Sequence, residues 1–266
     1  MRKSMAWLLG LFVAPVFCGA LAYGQADAQR PYYSRRNTFS FFTEYSPNSS
    51  HIIQGDAQNR RLFTLGAAYS RRLWLGRAAD FQYLIELRPV MIESDPVVAN
   101  TGTATVSSDP VAVFNGTFPY KYSYVQASAC HPSVYKGGAN DLFPTYTVTV
   151  TLTGQLTCSR QTTFGEGFSP IGFKVNFAPR HRIQPVLTAL AGYMFSTQPI
   201  PVPDAGSYNF TYEFGAGFEV FRSREHLGKR SVRLEYRFHH FSNAYTASEN
   251  PGVDSQLVQA SYSFGR

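Results

Sequence analysis

Val232-Arg233-Leu234-Glu235-Tyr236-Arg237-Phe238 puts an apolar side chain at every even position and a charged one at every odd position. That is the period of a β-strand, whose successive side chains point to opposite faces. One face of this strand is greasy and the other carries Arg, Glu and Arg. A soluble lipocalin-like barrel would need the apolar face inside, and the charged face could not fill such a core. The reverse arrangement, apolar outward and charge inward, suits a barrel whose outer solvent is lipid.

The same alternation recurs along the chain. Asn37 to Ser46 sets Phe39, Phe41 and Tyr45 against Thr38, Ser40 and Glu44. Leu62 to Ser70, Phe81 to Met91, Ser169 to Phe177, Gln184 to Phe195 and Asn209 to Val220 follow suit, and Asp254 to Phe264 closes the series. With Val232 to Phe238 the expectation is all-β: an eight-stranded antiparallel transmembrane β-barrel with a long disulfide-bearing external loop. Strands of roughly 9–11 residues are what a tilted crossing of a bilayer requires. The expected inward set is Glu86, Arg88, Lys174, Glu213, Glu219, Arg233, Glu235 and Arg237. It mixes both signs, as buried charges must in order to pair. Eight strands leave little lumen, which argues against a transport pore.

Loop length sets the orientation, because such barrels keep short turns inside and long loops outside. The expected external loops are 47–60, 94–167, 198–207 and 243–253. The turns near 71–79, 179–182 and 222–230 are then periplasmic. The insertion 94–167, rich in Thr, Ser, Gly, Pro and Asn, is too long to be structureless. Its β-forming run Tyr146 to Leu156 predicts a hairpin excursion above the barrel. Val258 to Phe264 has the alternation of a C-terminal barrel-assembly signal, with Gly265-Arg266 added after the aromatic residue.

Composition agrees. Of 266 residues, 15% are aromatic and only 15% charged, so alternating strands explain the chain better than apolar helices do. The formal charge of +7 suits an anionic surface, and no zinc, helix-turn-helix or Walker pattern directs it to nucleic acid. At the N-terminus, Arg2 and Lys3 precede the apolar run Met5 to Ala22 and then small residues. Residues 1–28 therefore read as a secretory signal peptide, cleaved between about Ala22 and Ala28, leaving 29–266 as the barrel. Two cysteines remain in the exported part, Cys130 and Cys158. An even count in an oxidising compartment predicts a disulfide stapling the long loop.

Continuing the even parity of the opening stretch brings His240 and Ser242 onto the greasy face, and Asp254 has the same parity at the head of the last strand. If Asp254 pairs with His240, their Cβ atoms lie about 4.5–5.5 Å apart, close enough for a carboxylate to hold one imidazole nitrogen. The other nitrogen could take the proton of Ser242. Nucleophile, base and orienting acid on a lipid-facing wall point to a serine hydrolase acting on lipid. Asn243, Tyr245 and the amides of their turn, with Asn250, are the expected oxyanion and substrate-positioning groups. His239 has the opposite parity and is expected inside. His51, His131, His181 and His226 lack metal-ligand spacing, so neither a metal nor another cofactor is expected. Arg60, Arg61 and Lys136 are candidate partners for lipid phosphates at the rim.

His240-Phe241-Ser242-Asn243-Ala244 followed by Asn250-Pro251-Gly252-Val253-Asp254 resembles the signature of the PagL-type lipid A 3-O-deacylases, also called acyloxyacyl hydrolases. Ser169 to Phe173 and Asn209 to Gly217 also look family-like. The resemblance implies an eight-stranded outer-membrane barrel that cleaves an ester-linked acyl chain from lipid A of lipopolysaccharide. It further implies Ser242 as nucleophile, His240 as general base and Asp254 as acid, where known members carry glutamate. A homodimer is an arrangement the sequence leaves open. The alternative function is a non-catalytic small outer-membrane barrel, an adhesin or membrane-stabilising protein, with 94–167 as its binding part.

Overall fold

The computed structural model describes residues 32–109, 115–142, 147–222 and 230–265. The expected signal peptide 1–28 and most of the turn 222–230 lie outside these. Ten antiparallel strands form one sheet: β1 (Asn37–Ser46), β2 (Arg61–Leu75), β3 (Ala79–Asp109), β4 (Gly116–Val125), β5 (Ser133–Leu142), β6 (Thr147–Phe177), β7 (Ile183–Ser196), β8 (Tyr208–Phe221), β9 (Arg230–Ser242) and β10 (Val253–Gly265).

The pairings close on themselves. β1 bonds to β2 on one side and to β10 on the other, and β3 bonds to β6. The ring therefore runs β1, β2, β3, β6, β7, β8, β9, β10. A closed ring leaves no open edge for another strand to pair with. β4 and β5 stand outside it, flanking the upper parts of β3 and β6.

The expected count of eight strands is thus two short. The error lies in 94–167, whose polar composition reads as loop interrupted by a hairpin. β3 and β6 instead run 31 residues each, straight through the rim, and pair with one another from Ala79↔Phe177 to Asp109↔Thr147. Ser169 to Phe177 and the run ending at Leu156 are two parts of one strand. Thr and Val alternating on a two-stranded ladder suffice to extend it, since both favour pleated backbone. Cys130 and Cys158 form a disulfide with Cα atoms 5.9 Å apart, tying the β4–β5 connection to β6.

Inside the ring most side chains are polar, around a small apolar cluster of Phe42, Ala68, Leu84 and Leu190, and the charged ones pair. Arg237 reaches Glu86, Glu44, Glu213 and Glu235 at 2.9–3.2 Å. Arg88 meets Glu44, Glu86 and Glu213 at 2.6–3.2 Å. Two guanidinium groups thus bridge a cluster of four carboxylates and offset part of its self-repulsion. Nearer the short-turn end, Glu219 joins Arg35 at 2.6 Å and Lys174 at 3.2 Å. All eight residues expected inside are buried there. At the loop end, Leu62, Met91, Met194, Phe241, Val253 and Leu257 join Ala57 and Ile200 in an apolar plug.

The outer wall has the opposite chemistry. Phe41, Ile171, Phe214, Val232, Leu234, Tyr236 and Val258 are all exposed, Phe41 to 63%. A continuous apolar wall of this kind is not a surface that water favours.

Candidate active site

β9 and β10 carry the site at the loop end of the ring. Their register is the one parity requires: His240 faces Asp254, Phe238 faces Gln256 and Tyr236 faces Val258. His240 Nδ1 and Asp254 Oδ1 are 2.6 Å apart, with both side chains buried. With the proton of a neutral imidazole on Nδ1 and donated to the carboxylate, Nε2 carries the free lone pair.

Four donors converge on Asp254. Its second oxygen accepts the backbone N–H groups of Ile52, Ile53 and Gln54 at 3.1, 2.6 and 3.0 Å. These amides belong to loop 47–60, which folds down over the head of β10. Ser49 bridges to Ser255 and Ala57 to Val253, and the Asp56 and Ala57 amides donate to Pro251 and Gly252 carbonyls. Successive amides aimed at one oxygen form an anion-binding concavity, here filled by the protein's own carboxylate. Donors of this kind favour the ionised form that can hold an imidazolium.

Glycine makes two of these approaches possible. A Cβ on Gly55 would lie 2.3 Å from Asp254 N and 2.7 Å from Val253 C. Gly252 has φ +58° and would bring a Cβ to 3.1 Å from His240 Cε1. Tyr212, opposite His240 on β8, stacks on the imidazole with centroids 4.7 Å apart and planes at 28°. Its hydroxyl donates to Gln54 Oε1 at 3.2 Å, tying the ring to the same loop. His240 therefore has the outward parity of its strand yet is buried, because Tyr212, Gly252 and loop 47–60 enclose it.

Ser242 ends β9 two residues beyond His240, opposite Phe210, and is half-buried. Two residues of strand rise about 6.5–7 Å. Among the described residues no hydrogen bond joins Ser242 Oγ to the imidazole.

The residues that follow Ser242 form a tight turn. Asn243 is buried, and its Nδ2 donates to the carbonyls of Ala205 and Glu249, while Oδ1 accepts the Tyr245 amide at 2.9 Å. Its own amide donates to Asn250 Oδ1 at 3.0 Å. Both asparagines are thus engaged in building the turn. Ala244 and Tyr245 follow at φ 51° and 61°, a left-handed pair that costs non-glycine residues energy and persists only where surroundings enforce it. Among the described residues the Ala244 amide donates no hydrogen bond. Tyr245 is 84% exposed at the rim.

Arg60 is a correction. Expected at the rim for lipid phosphate, it is buried beside Asp95 at 3.1 Å and donates to the carbonyls of Gln58, Gln126, Ala127 and Pro201. It fastens loop 47–60 to the extension above the ring and to loop 197–207. Arg61 and Lys136 are exposed. His239 lies inside as expected, 3.9 Å from Glu213. Ile52, Ile53, Gln54, Gly55 and Tyr212 are the members of the site that sequence reasoning missed. No periodicity links a loop amide to a carboxylate 200 positions later.

A closed antiparallel ring with an apolar outer wall and a charged interior defines the class: a membrane-type β-barrel, here with a buried histidine–carboxylate pair at its loop end. The family comparison makes this specific. The model of the family Lipid A 3-O-deacylase (PagL) matches residues 116–263, more than half of the chain, and the chain belongs to that family. It is accordingly an outer-membrane protein of a hydrolase family that acts on lipid A. The match begins at β4, inside the insertion 94–167. No curated protein matches. Among solved structures, a BenF-like porin from Pseudomonas fluorescens Pf-5 is 8% identical, covers 88% of this chain and 99% of its own, and has a TM-score of 0.18. The outer membrane protein opdK from Pseudomonas aeruginosa has the same identity and coverage with a TM-score of 0.17. Likeness at that level bears on neither fold nor function.

Proposed function

We propose that the eight-strand ring crosses the outer membrane and that Ser242, His240 and Asp254 act there as a serine esterase, removing an ester-linked acyl chain from lipid A. The observation that carries this reading is the 2.6 Å His240–Asp254 pair with Ser242 next on the same face.

The lipid lies against the outer wall with its acyl chain along Phe238 and Tyr236. His240 Nε2 takes the proton of Ser242 Oγ as the oxygen attacks the ester carbonyl, and Asp254 steadies the imidazolium that forms. The ester C–O bond then breaks, the alkoxide of the sugar leaves with the proton from His240, and the acyl group stays on Ser242. Water, deprotonated by His240, hydrolyses that acyl-enzyme and releases the fatty acid. With the Asn243 and Tyr245 amides engaged, the Ala244 amide is the donor of that turn left for the oxyanion.

Three features support the assignment. Asp254 is held by four hydrogen bonds, so its position is fixed before substrate arrives. Tyr212 and the loop exclude water from one side of the imidazole. The wall below is apolar, as an acyl chain requires. Ser242→Ala should abolish fatty-acid release from lipopolysaccharide by a barrel that still assembles; undiminished release would refute the role of Ser242.

A further inference from the structure

β3 and β6 continue past the ring. β2 stops pairing with β3 at Ser94, and β7 stops pairing with β6 at Gly165. Beyond these points β4, β3, β6 and β5 form a single-layer sheet with two unlike faces. One, continuing the parity of the ring's interior, carries threonines such as Thr103 and Thr153, bonded to each other at 2.9 Å. The other, continuing the parity of the outer wall, carries an aromatic row.

That row is Phe118, Tyr120, Tyr122 and Tyr124 on β4, with Tyr135 approaching from β5. Tyr120, Tyr122 and Tyr124 stack in series, with centroids 6.2 and 6.0 Å apart and planes at 29° and 18°. Tyr120 and Tyr135 reach across the sheet from opposite edges and join hydroxyl to hydroxyl. The meeting point lies over Gly102 and Gly154, where any Cβ would come within 2.5 Å of the Tyr120 hydroxyl. Asn100 clasps the group, donating to the Tyr122 hydroxyl at 2.7 Å and accepting from Tyr135 at 2.8 Å. The Tyr135 hydrogen bond also pushes the Tyr120 hydroxyl up to about 12. Phe118, Tyr122 and Tyr124 remain exposed.

We propose that this row binds the saccharide of lipopolysaccharide by stacking sugar rings on the aromatic faces. This rests on the reading of lipid A as substrate, since the sugar would belong to the same molecule. Position argues for sugar over acyl chain: Asn100 to Ala104 lie six to ten residues past Ser94, about 20–35 Å along the strand above the rim. Composition argues the same way. The outer wall is mainly Phe, Leu, Val and Ile, with few tyrosines such as Tyr45, Tyr236 and Tyr262, whereas this row is mostly Tyr, whose apolar face and polar edge suit a ring that is itself amphipathic. The hydroxyls of Tyr120, Tyr122 and Tyr135 are tied down by one another and by Asn100, so those rings are set in place before a ligand arrives.

The full-length protein in detergent micelles is titrated with the polysaccharide released from lipopolysaccharide by mild acid, which carries no lipid A. The unmutated protein should bind it. Tyr122→Ala should bind roughly tenfold more weakly, the loss of one stacking contact, while Thr103→Ala on the opposite face should bind normally. Hydrolysis supplies the second readout: Tyr122→Ala should raise KM for intact lipopolysaccharide and leave turnover of free lipid A unchanged. Absence of hydrolysis by the unmutated protein would remove the deacylase reading, and the saccharide titration would still decide this one. No binding by the unmutated protein, equal binding by Tyr122→Ala, or sedimentation showing a dimer that Tyr122→Ala dissolves would overturn the proposal.

Discussion

Replacing Gly55 by alanine should disable the site while leaving Ser242, His240 and Asp254 in the sequence. The new Cβ would sit 2.3 Å from Asp254 N, and ordinary contact begins at 3.4 Å, so loop 47–60 must retreat by about 1.1 Å. The two nearest atoms it meets are backbone of β10 and cannot swing aside, and the third is Asp254 Cγ at 2.9 Å. The amides now 2.6–3.1 Å from Asp254 Oδ2 would then lie about 3.7–4.2 Å away, outside hydrogen-bonding range. Each such bond to a charged group contributes about 1.5–3 kcal/mol, and water entering the gap restores much of that. What water cannot restore is position, and about 1 Å of misplacement costs on the order of 100-fold in rate. We expect kcat for fatty-acid release from lipopolysaccharide in mixed micelles to fall about 10- to 100-fold with little change in KM. Gly137→Ala, where a Cβ meets nothing within 4 Å, is the matched control. Both variants should keep the heat-modifiable electrophoretic mobility of a folded barrel. A folded Gly55→Ala protein with normal kcat would show that the amide cradle does not hold the reactive geometry.

Other expectations follow from the same contacts. Tyr212→Ala removes the ring stacked on His240, an interaction of about 0.5–1.5 kcal/mol, and should lower kcat up to about tenfold in the same assay. Arg237→Met leaves Glu44, Glu86 and Glu213 with Arg88 as their remaining partner and Glu235 with Arg233; breaking such a network costs about 3–5 kcal/mol, read as a lower unfolding temperature in detergent. Replacing Cys130 and Cys158 by serine opens a loop of 28 residues, whose closure is worth about 3–4 kcal/mol in the chain-entropy view. Limited proteolysis should then cut between β4 and β5 while the ring resists.

How much of this was legible depends on the range of the signal. The ring was readable because side-chain parity is local: each strand declares two faces within seven residues, and the charged face could only be interior. Pairing of His240 with Asp254 followed from the same parity, since a hairpin with one greasy face admits few registers. The upper sheet was misread because threonine and glycine lower the apolar contrast that parity depends on, so strand continuity across the rim left no mark. Arg60 looked like a rim cation because nothing in its neighbourhood announces Asp95 or the carbonyls that bury it. Tyr212 had the parity of a wall residue, and only the register of β8 against β9 sets it on the imidazole. Asn243 looked like a donor for substrate, but its hydrogen bonds go to a turn whose partners, Ala205 and Glu249, come from two different loops.

The central claim is that Ser242, backed by His240 and Asp254, cleaves an acyl ester of lipid A. The most direct measurement is mass spectrometry of lipid A from cells expressing the protein beside cells expressing Ser242→Ala at equal levels of assembled barrel. The account predicts loss of one ester-linked acyl chain with the unmutated protein and intact lipid A with the variant. Intact lipid A in both, or the same loss in both, would contradict it.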